Sequence, residues 1–330
     1  EALRNAVVDS YENISHRYYK LKAKWLNLKK LEIWDRNAPL PEQNNRLINW
    51  EEAEYIVTSA YHDFDPRIAK LTKPFFKEGW IDAEVKPGKA PGAFAHPTVT
   101  NVHPYIMLNY LGKPRDVMTL AHELGHGVHQ LLAARQGEIL SNTPLTLAET
   151  ASVFGEMLTF KKMLSINKNE KNRKQLIAGK VEDMINTVIR QISFYDFECR
   201  VHKARLDGEL TPNQINKLWM EVSVESLGDG FNYMKGYETF WAYVPHFIHS
   251  PFYVYAYAFG DGLVNALYSV YEDNDTDFQN KYFDMLCAGG SKNHRELLKP
   301  FNLDATDPTF WLKGLSLISS MIDELESLES

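Results

Sequence analysis

Apolar residues recur at three- and four-residue spacing through most of this chain, the period of helices that each bury one face. Leu3, Val7, Val8 and Tyr11 set up such a face at once, and the pattern predicts a helix over about the first 34 residues. A Pro- and Asn-rich turn from Asn37 to Asn45 closes it. Asn49 then stands as an N-cap before a helix from Trp50 to Phe64, and Asp65-Pro66 marks the junction to another running toward Lys77. From Gly79 to Pro114 the helical period fails, because Pro87, Gly88, Pro91, Gly92, Pro97 and Pro104 interrupt it. Within this stretch Tyr105 to Tyr110 reads as a short strand, with Ala93 and Phe94 in a neighbour. Helical spacing returns at 116–136, where Gly137 ends it, and at 147–164, 171–206, 212–227, 249–271 and 315–328. The longest of these carries one stripe, Leu176, Ile177, Val181, Met184, Ile185, Val188, Ile189, Ile192 and Tyr195, expected to be core. The expectation is a mainly α, multi-helical single domain over residues 1–330, with a small β-sheet beside the helix at 116–136.

Composition narrows the partners. The 330 residues are 44% hydrophobic and 24% charged, ordinary for a globular chain and able to build a sizeable core. A formal net charge of −7 offers no basic field for phosphate backbones, so nucleic acid is not an expected partner. No apolar run approaches a membrane span, and no signal peptide is visible before the first helical residues. Cys199 and Cys287 are far apart and outside any CxxC pattern, which argues against a disulfide framework or thiolate metal site and fits a cytoplasmic location. Nothing in the sequence sets the oligomeric state.

Chemistry concentrates at Thr-Leu-Ala-His-Glu-Leu-Gly-His-Gly-Val-His, residues 119–129, which contains the pattern HExxH on an expected helix. His122 and His126 are one turn apart on one face, so both imidazoles can reach a single Zn2+. Glu123, beside the first ligand, is placed to take a proton from the water on the metal and return it to a leaving amine. The pattern therefore points to zinc-dependent hydrolysis of a peptide bond.

Such a site needs a third protein ligand, and His129, Glu138, Glu149 and Glu156 are the candidates downstream. His129 faces the same side but lies a turn too far along, which suits a group behind the ligands or facing the substrate. Glu138 follows the helix end and is expected to be solvated. No Gly break with a later His follows the motif, so a carboxylate from another helix is required. Glu149 opens the next apolar helix among Ala148, Ala151 and Ser152, small enough for close packing on the motif helix. Glu156 falls two turns on along the same face and is expected to support a metal-bound imidazole.

The segments Thr-Leu-Ala-His-Glu-Leu-Gly-His and Pro-Leu-Thr-Leu-Ala-Glu-Thr-Ala-Ser-Val-Phe-Gly-Glu, residues 119–126 and 144–156, resemble oligoendopeptidase F within the thimet oligopeptidase-like metallopeptidases. The likeness extends to Gly92-Ala-Phe, Asn109-Tyr and the run from His246 to Gly260. It implies a zincin-type, mainly helical catalytic domain, endoproteolysis of oligopeptide substrates, and Glu149 as the third zinc ligand. Members of that family are longer, and the chain reads as their C-terminal catalytic part, without the N-terminal region. The resemblance also implies oxyanion donors among His246, Tyr253 and Tyr257, and a substrate-facing surface at Gly92, Ala93, Phe94 and Tyr255. Two other readings use the same residues: a zinc-containing peptide-binding or inactive fragment, and an exopeptidase.

Overall fold

Helix starts in this chain are set by short polar caps. Asn49 is extended, and its side chain accepts the Glu52 N–H at 2.8 Å, so the helix Trp50–Phe64 begins at the next residue. Asp65 ends that helix and starts Pro66–Lys77, accepting the Arg67 N–H at 2.8 Å with Pro66 in the first turn. Asp307 and Pro308 act the same way at the last helix, which therefore spans Pro308–Ser327 and starts well before Leu315. The computed structural model describes residues 1–41, 46–273 and 276–329, so the turn expected over Asn37–Asn45 lies outside the described residues from position 42 onward. The chain is mainly helical and divides into two compact units, Glu1–Gln43 with Ile177–Gly262 and Ala305–Ser330, and Asn44–Leu176 with Leu263–Asp304. Among the described residues, no helix is long and apolar enough to cross a membrane.

In the first unit the opening helix is shorter than its period suggests. It runs Ala2–Asp9, widens into a π-turn at Glu12–His16, and ends with Arg17–Trp25. Asn27 adopts a left-handed φ of 56°, and the Leu28 N–H returns to the Ala23 carbonyl at 2.9 Å, which satisfies the last turn and stops it. Leu31–Glu32 then pairs in parallel with Phe231–Asn232. Strands of two residues are too short to show an alternating pattern, which is why this pair leaves no signal in the sequence. Of the expected stripe, Ile177 to Ile192 is buried as core, through a π-turn at Ile185–Ile189 and into the helix Arg190–Arg205, whereas its two end residues, Leu176 and Tyr195, are only half-buried.

The single helix expected over 249–271 is broken. A short turn at His246–His249 is followed by a reversal, and the helix proper is Tyr255–Glu272. Pro251 disfavours helical geometry at Ser250, and Phe252 takes a left-handed φ of 61°. Its N–H donates to Glu198 Oε1 at 2.7 Å, which holds the reversal.

The second unit is organised by two helices, Pro114–Ala133 carrying the HExxH motif and Leu145–Ile166 carrying Glu149 and Glu156. They approach closely because glycines face backbone. A Cβ on Gly125 would collide with the Ala151 carbonyl and lie 2.7 Å from Ser152 Cα, and one on Gly155 would strike the Tyr61 hydroxyl. That hydroxyl donates to the Ala121 carbonyl at 3.0 Å, tying the helix Trp50–Phe64 to the motif helix. On the other side, Gly127 leaves room for the Phe75 ring and the Ile106 side chain. Ile106 belongs to a three-stranded sheet in which Tyr105–Met107 is central, parallel to Ile81–Asp82 and antiparallel to Phe94–His96. Gln130 of the motif helix donates to the Ala95 carbonyl at 3.3 Å, which fixes the edge strand beside that helix.

Replacing Gly125 by Ala forces the two helices apart at rigid backbone, and overpacking of this kind costs about 1–3 kcal/mol. The urea midpoint of the full chain should fall accordingly; an unchanged midpoint would show that the contact is not tight.

Candidate metal centre

The helix pair brings three ligand-type atoms into a small triangle. His122 Nε2 and His126 Nε2 are 3.2 Å apart, and Glu149 Oε2 lies 3.4 Å from the first and 3.5 Å from the second. Among the described residues these three form the one such group of His, Cys, Asp or Glu close enough to share an ion. A tetrahedral zinc with bonds of about 2.0–2.1 Å spaces its ligand atoms at about 3.3–3.4 Å, so the triangle fits that ion without rearrangement. Three protein ligands leave a fourth position open, the arrangement of a catalytic rather than a structural zinc.

Supporting groups orient the triangle. His122 Nδ1 lies 2.6 Å from Glu156 Oε1, so an N–H on Nδ1 donates to that carboxylate and Nε2 is the ring atom that faces the triangle. The Ser152 hydroxyl donates to Glu149 Oε2 at 2.5 Å and directs that oxygen toward the imidazoles. In the sequence Ser152 stands out only as a small residue that permits packing; its polar role depends on being three residues after Glu149 with its side chain turned back along the helix. His129, a turn beyond His126, is buried, with Thr143 Oγ1 at 3.3 Å from its Nε2. Glu138 is exposed and accepts the Thr100 N–H at 3.0 Å.

The electrostatics follow from burial and from the three carboxylates. Burial would lower the His122 pKa, but the Glu156 hydrogen bond and the charges of Glu156, Glu149 and Glu123 outweigh it and raise it to about 9. Burial dominates at His126 and His129, each lowered to about 4. Glu123 is buried, and burial raises its carboxyl to about 7 against the opposing pull of His122.

The aromatic residues singled out downstream belong to the other unit. His246 Nε2 and the Tyr257 hydroxyl are 3.2 Å apart, and the His246 ring lies nearly parallel to Tyr253 with centroids 5.9 Å apart. Tyr253 precedes the helix instead of sharing a helical face with Tyr257, yet the reversal at Phe252 still brings the two rings to 5.4 Å. Tyr255 packs edge-on against Tyr195 at 5.8 Å. Glu198, which holds the reversal, has no motif around it; its signal is an acid one residue after Phe197 and four after Phe194 on an apolar helix face. Gly92 has a left-handed φ of 90°, Ala93 follows it, and Phe94 is half-exposed at the start of the edge strand.

Removing Glu149 deletes one of three ligands, whereas removing Glu156 only frees the His122 ring. Zinc affinity measured by chelator competition should fall about 10–100-fold for Glu156→Gln and further for Glu149→Ala. Equal affinities for Glu149→Ala and the unmodified chain would eliminate Glu149 as a ligand.

Known proteins share this arrangement of sequence and fold. The model of Peptidase family M3 matches residues 1–317. The Bacillus subtilis (strain 168) protein Oligopeptidase PepF is 28% identical over 323 residues, 97% of this chain and 48% of its own length. An Oligoendopeptidase F homolog of Lactococcus lactis subsp. lactis (strain IL1403) is 29% identical over 317 residues, covering 95% of this chain and 52% of the relative. A crystallised protein of Chlamydophila abortus superposes with a TM-score of 0.88 at 28% identity, over 99% of this chain and 55% of that one. The crystal structure of oligoendopeptidase-F from Enterococcus faecium gives 0.75 at 20% identity over 99% and 53%, a likeness of fold. The chain spans about half the length of the relatives it matches.

Proposed function

The chain belongs to peptidase family M3, and from that premise we propose that it is a zinc-dependent endopeptidase that hydrolyses short, unstructured oligopeptides. The observation that carries this reading is the triangle of His122, His126 and Glu149, whose spacing and mixed N/O donors suit zinc with one position open. Bound there, zinc would act as a Lewis acid that polarises the scissile carbonyl and lowers the pKa of water.

The chain's own residues would do the rest. Glu123, buried next to the first ligand, accepts the proton of the attacking water and delivers it to the leaving amine. Glu156 accepts from His122 Nδ1 and fixes that ring, and His129 lies buried a turn beyond His126 on the same helix. His246 and Tyr253, with Tyr257 as the second tyrosine, are assigned hydrogen-bond donation to the developing oxyanion; their mutual clustering and the family resemblance support this. Substrate contacts are assigned to Gly92, Ala93 and Phe94, and to Tyr255. Phe94 lies on a sheet edge with one strand neighbour, and such an edge suits pairing with an extended peptide. The absence of a cysteine framework supports a cytoplasmic setting.

Glu123→Gln should retain stoichiometric zinc while kcat on a quenched-fluorescent peptide drops by at least about 10²–10⁴-fold. Retained turnover would refute the base assignment. Peptides blocked at both ends should still be cut at an internal bond; cleavage confined to peptides with a free terminus would instead mark an exopeptidase. Zinc-dependent peptide binding with no cleavage would mark a binding fragment.

A further inference from the structure

A cavity of about 20 Å³ lies within the first unit, between the π-turn Ile185–Ile189, the helix Pro212–Leu227 and the turn Ile33–Asn37. Four of the residues lining it carry buried polar atoms that have no hydrogen-bond partner: Arg36 Nε, Arg190 Nε, Trp219 Nε1 and Asn186 Oδ1. Trp219 is only 3% exposed. Orphans of this kind are rare in native proteins, and four around one cavity call for a common partner. Neither guanidinium has a carboxylate within ion-pair distance among the described residues. Acids near them in the chain are engaged elsewhere, Asp35 with the Glu32 N–H at 2.8 Å, Asp196 with Arg4 at 2.6 Å and Glu182 with Lys22. Arg190 lies over the Phe194 ring, 4.9 Å from its centroid, which offsets only part of the cost of burying its charge.

The chemistry of the wall selects the partner. Three of the four orphans are pure donors and two of those carry positive charge. Water must donate as well as accept, and among the orphaned atoms it meets one acceptor, Asn186 Oδ1; the hydroxyls of Tyr19 and Tyr237, which also line the cavity, can donate to an anion as readily as accept from water. An anion accepts from all three donors and also relieves the repulsion between the two guanidiniums; burial, followed by the charge of Arg36, already lowers Arg190 to about 10. Asn186 Nδ2 donates to Asn37 Oδ1 at 3.1 Å, and a concerted half-turn of both amides would give the cavity a fourth donor. The space holds on the order of one or two waters, which admits a halide and excludes sulfate, phosphate or a carboxylic acid metabolite.

We propose that this cavity is a binding site for a halide-sized monovalent anion, chloride under ordinary conditions, held by Arg36, Arg190 and Trp219. Phe194 and Trp219 both pack on Phe247, at 5.6 and 6.4 Å between ring centroids, so a bound anion also steadies the segment that starts at His246. The site stands independently of whether the chain is a peptidase.

Two measurements on the full chain test it. Melting temperature should rise and saturate with sodium chloride or bromide, by about 1.5–2 °C at roughly five times Kd, and not with sodium gluconate at equal ionic strength. Arg36→Gln should abolish the difference between the salts. Crystals grown in bromide should show an anomalous peak within hydrogen-bonding reach of Arg36 Nε, Arg190 Nε and Trp219 Nε1. That peak decides the matter even if the Arg36 variant does not fold. Identical melting in chloride and gluconate, or a cavity that holds only water in bromide-grown crystals, would overturn the proposal.

Discussion

The metal centre depends on how closely two helices meet. Gly125 on one faces Ala151 and Ser152 on the other, where no side chain fits between the backbones. At that separation Glu149 reaches both imidazoles, and Glu156, two turns further on, reaches the far nitrogen of His122. A wider crossing would leave two histidines on an isolated helix and two glutamates on another. Gly155 extends the contact by admitting Tyr61, whose hydroxyl ties a third helix to the carbonyl of Ala121, directly before the first ligand.

Close packing also sets the electrostatics. Holding two histidines and three acids near one another, largely out of water, would be costly unless opposite charge were present. The opposing pKa shifts reflect this: His122 is raised by its carboxylate neighbours, whereas His126 is lowered mainly by burial. A divalent cation supplies positive charge at the point where carboxylate and imidazole atoms converge, and the hydrogen bonds from Ser152 and to Glu156 orient the ligands toward it. In the first unit the same physics is met differently. Lys22 is buried but paired with Glu182, while Arg36 and Arg190 line a cavity without an acid.

Much of the helical architecture is legible because helices carry a long-range period. The boundaries at Asn49, Asp65 and Gly137 are written as local cap and stop signals, and the stripe from Ile177 to Ile192 is buried as its spacing implies. Errors fall where a single residue overrides the period. Asn27 halts the first helix by turning left-handed, and Phe252 reverses the chain after Pro251, although apolar residues continue on both sides. Two-residue strands are invisible for the opposite reason, because they are too short to carry a period.

By itself the sequence determined that His122, Glu123 and His126 share one helical turn, since backbone geometry alone puts residues i and i+4 on one face. It also marked Glu149 and Glu156 as candidates, because small residues beside an acid signal a close helix contact. Only the tertiary structure decided the distances within the triangle, the role of Ser152, the burial of Glu198 against the Phe252 N–H, and the cavity of unpaired donors around Trp219. These depend on residues distant in the chain and on the direction of individual side chains, which no local period encodes.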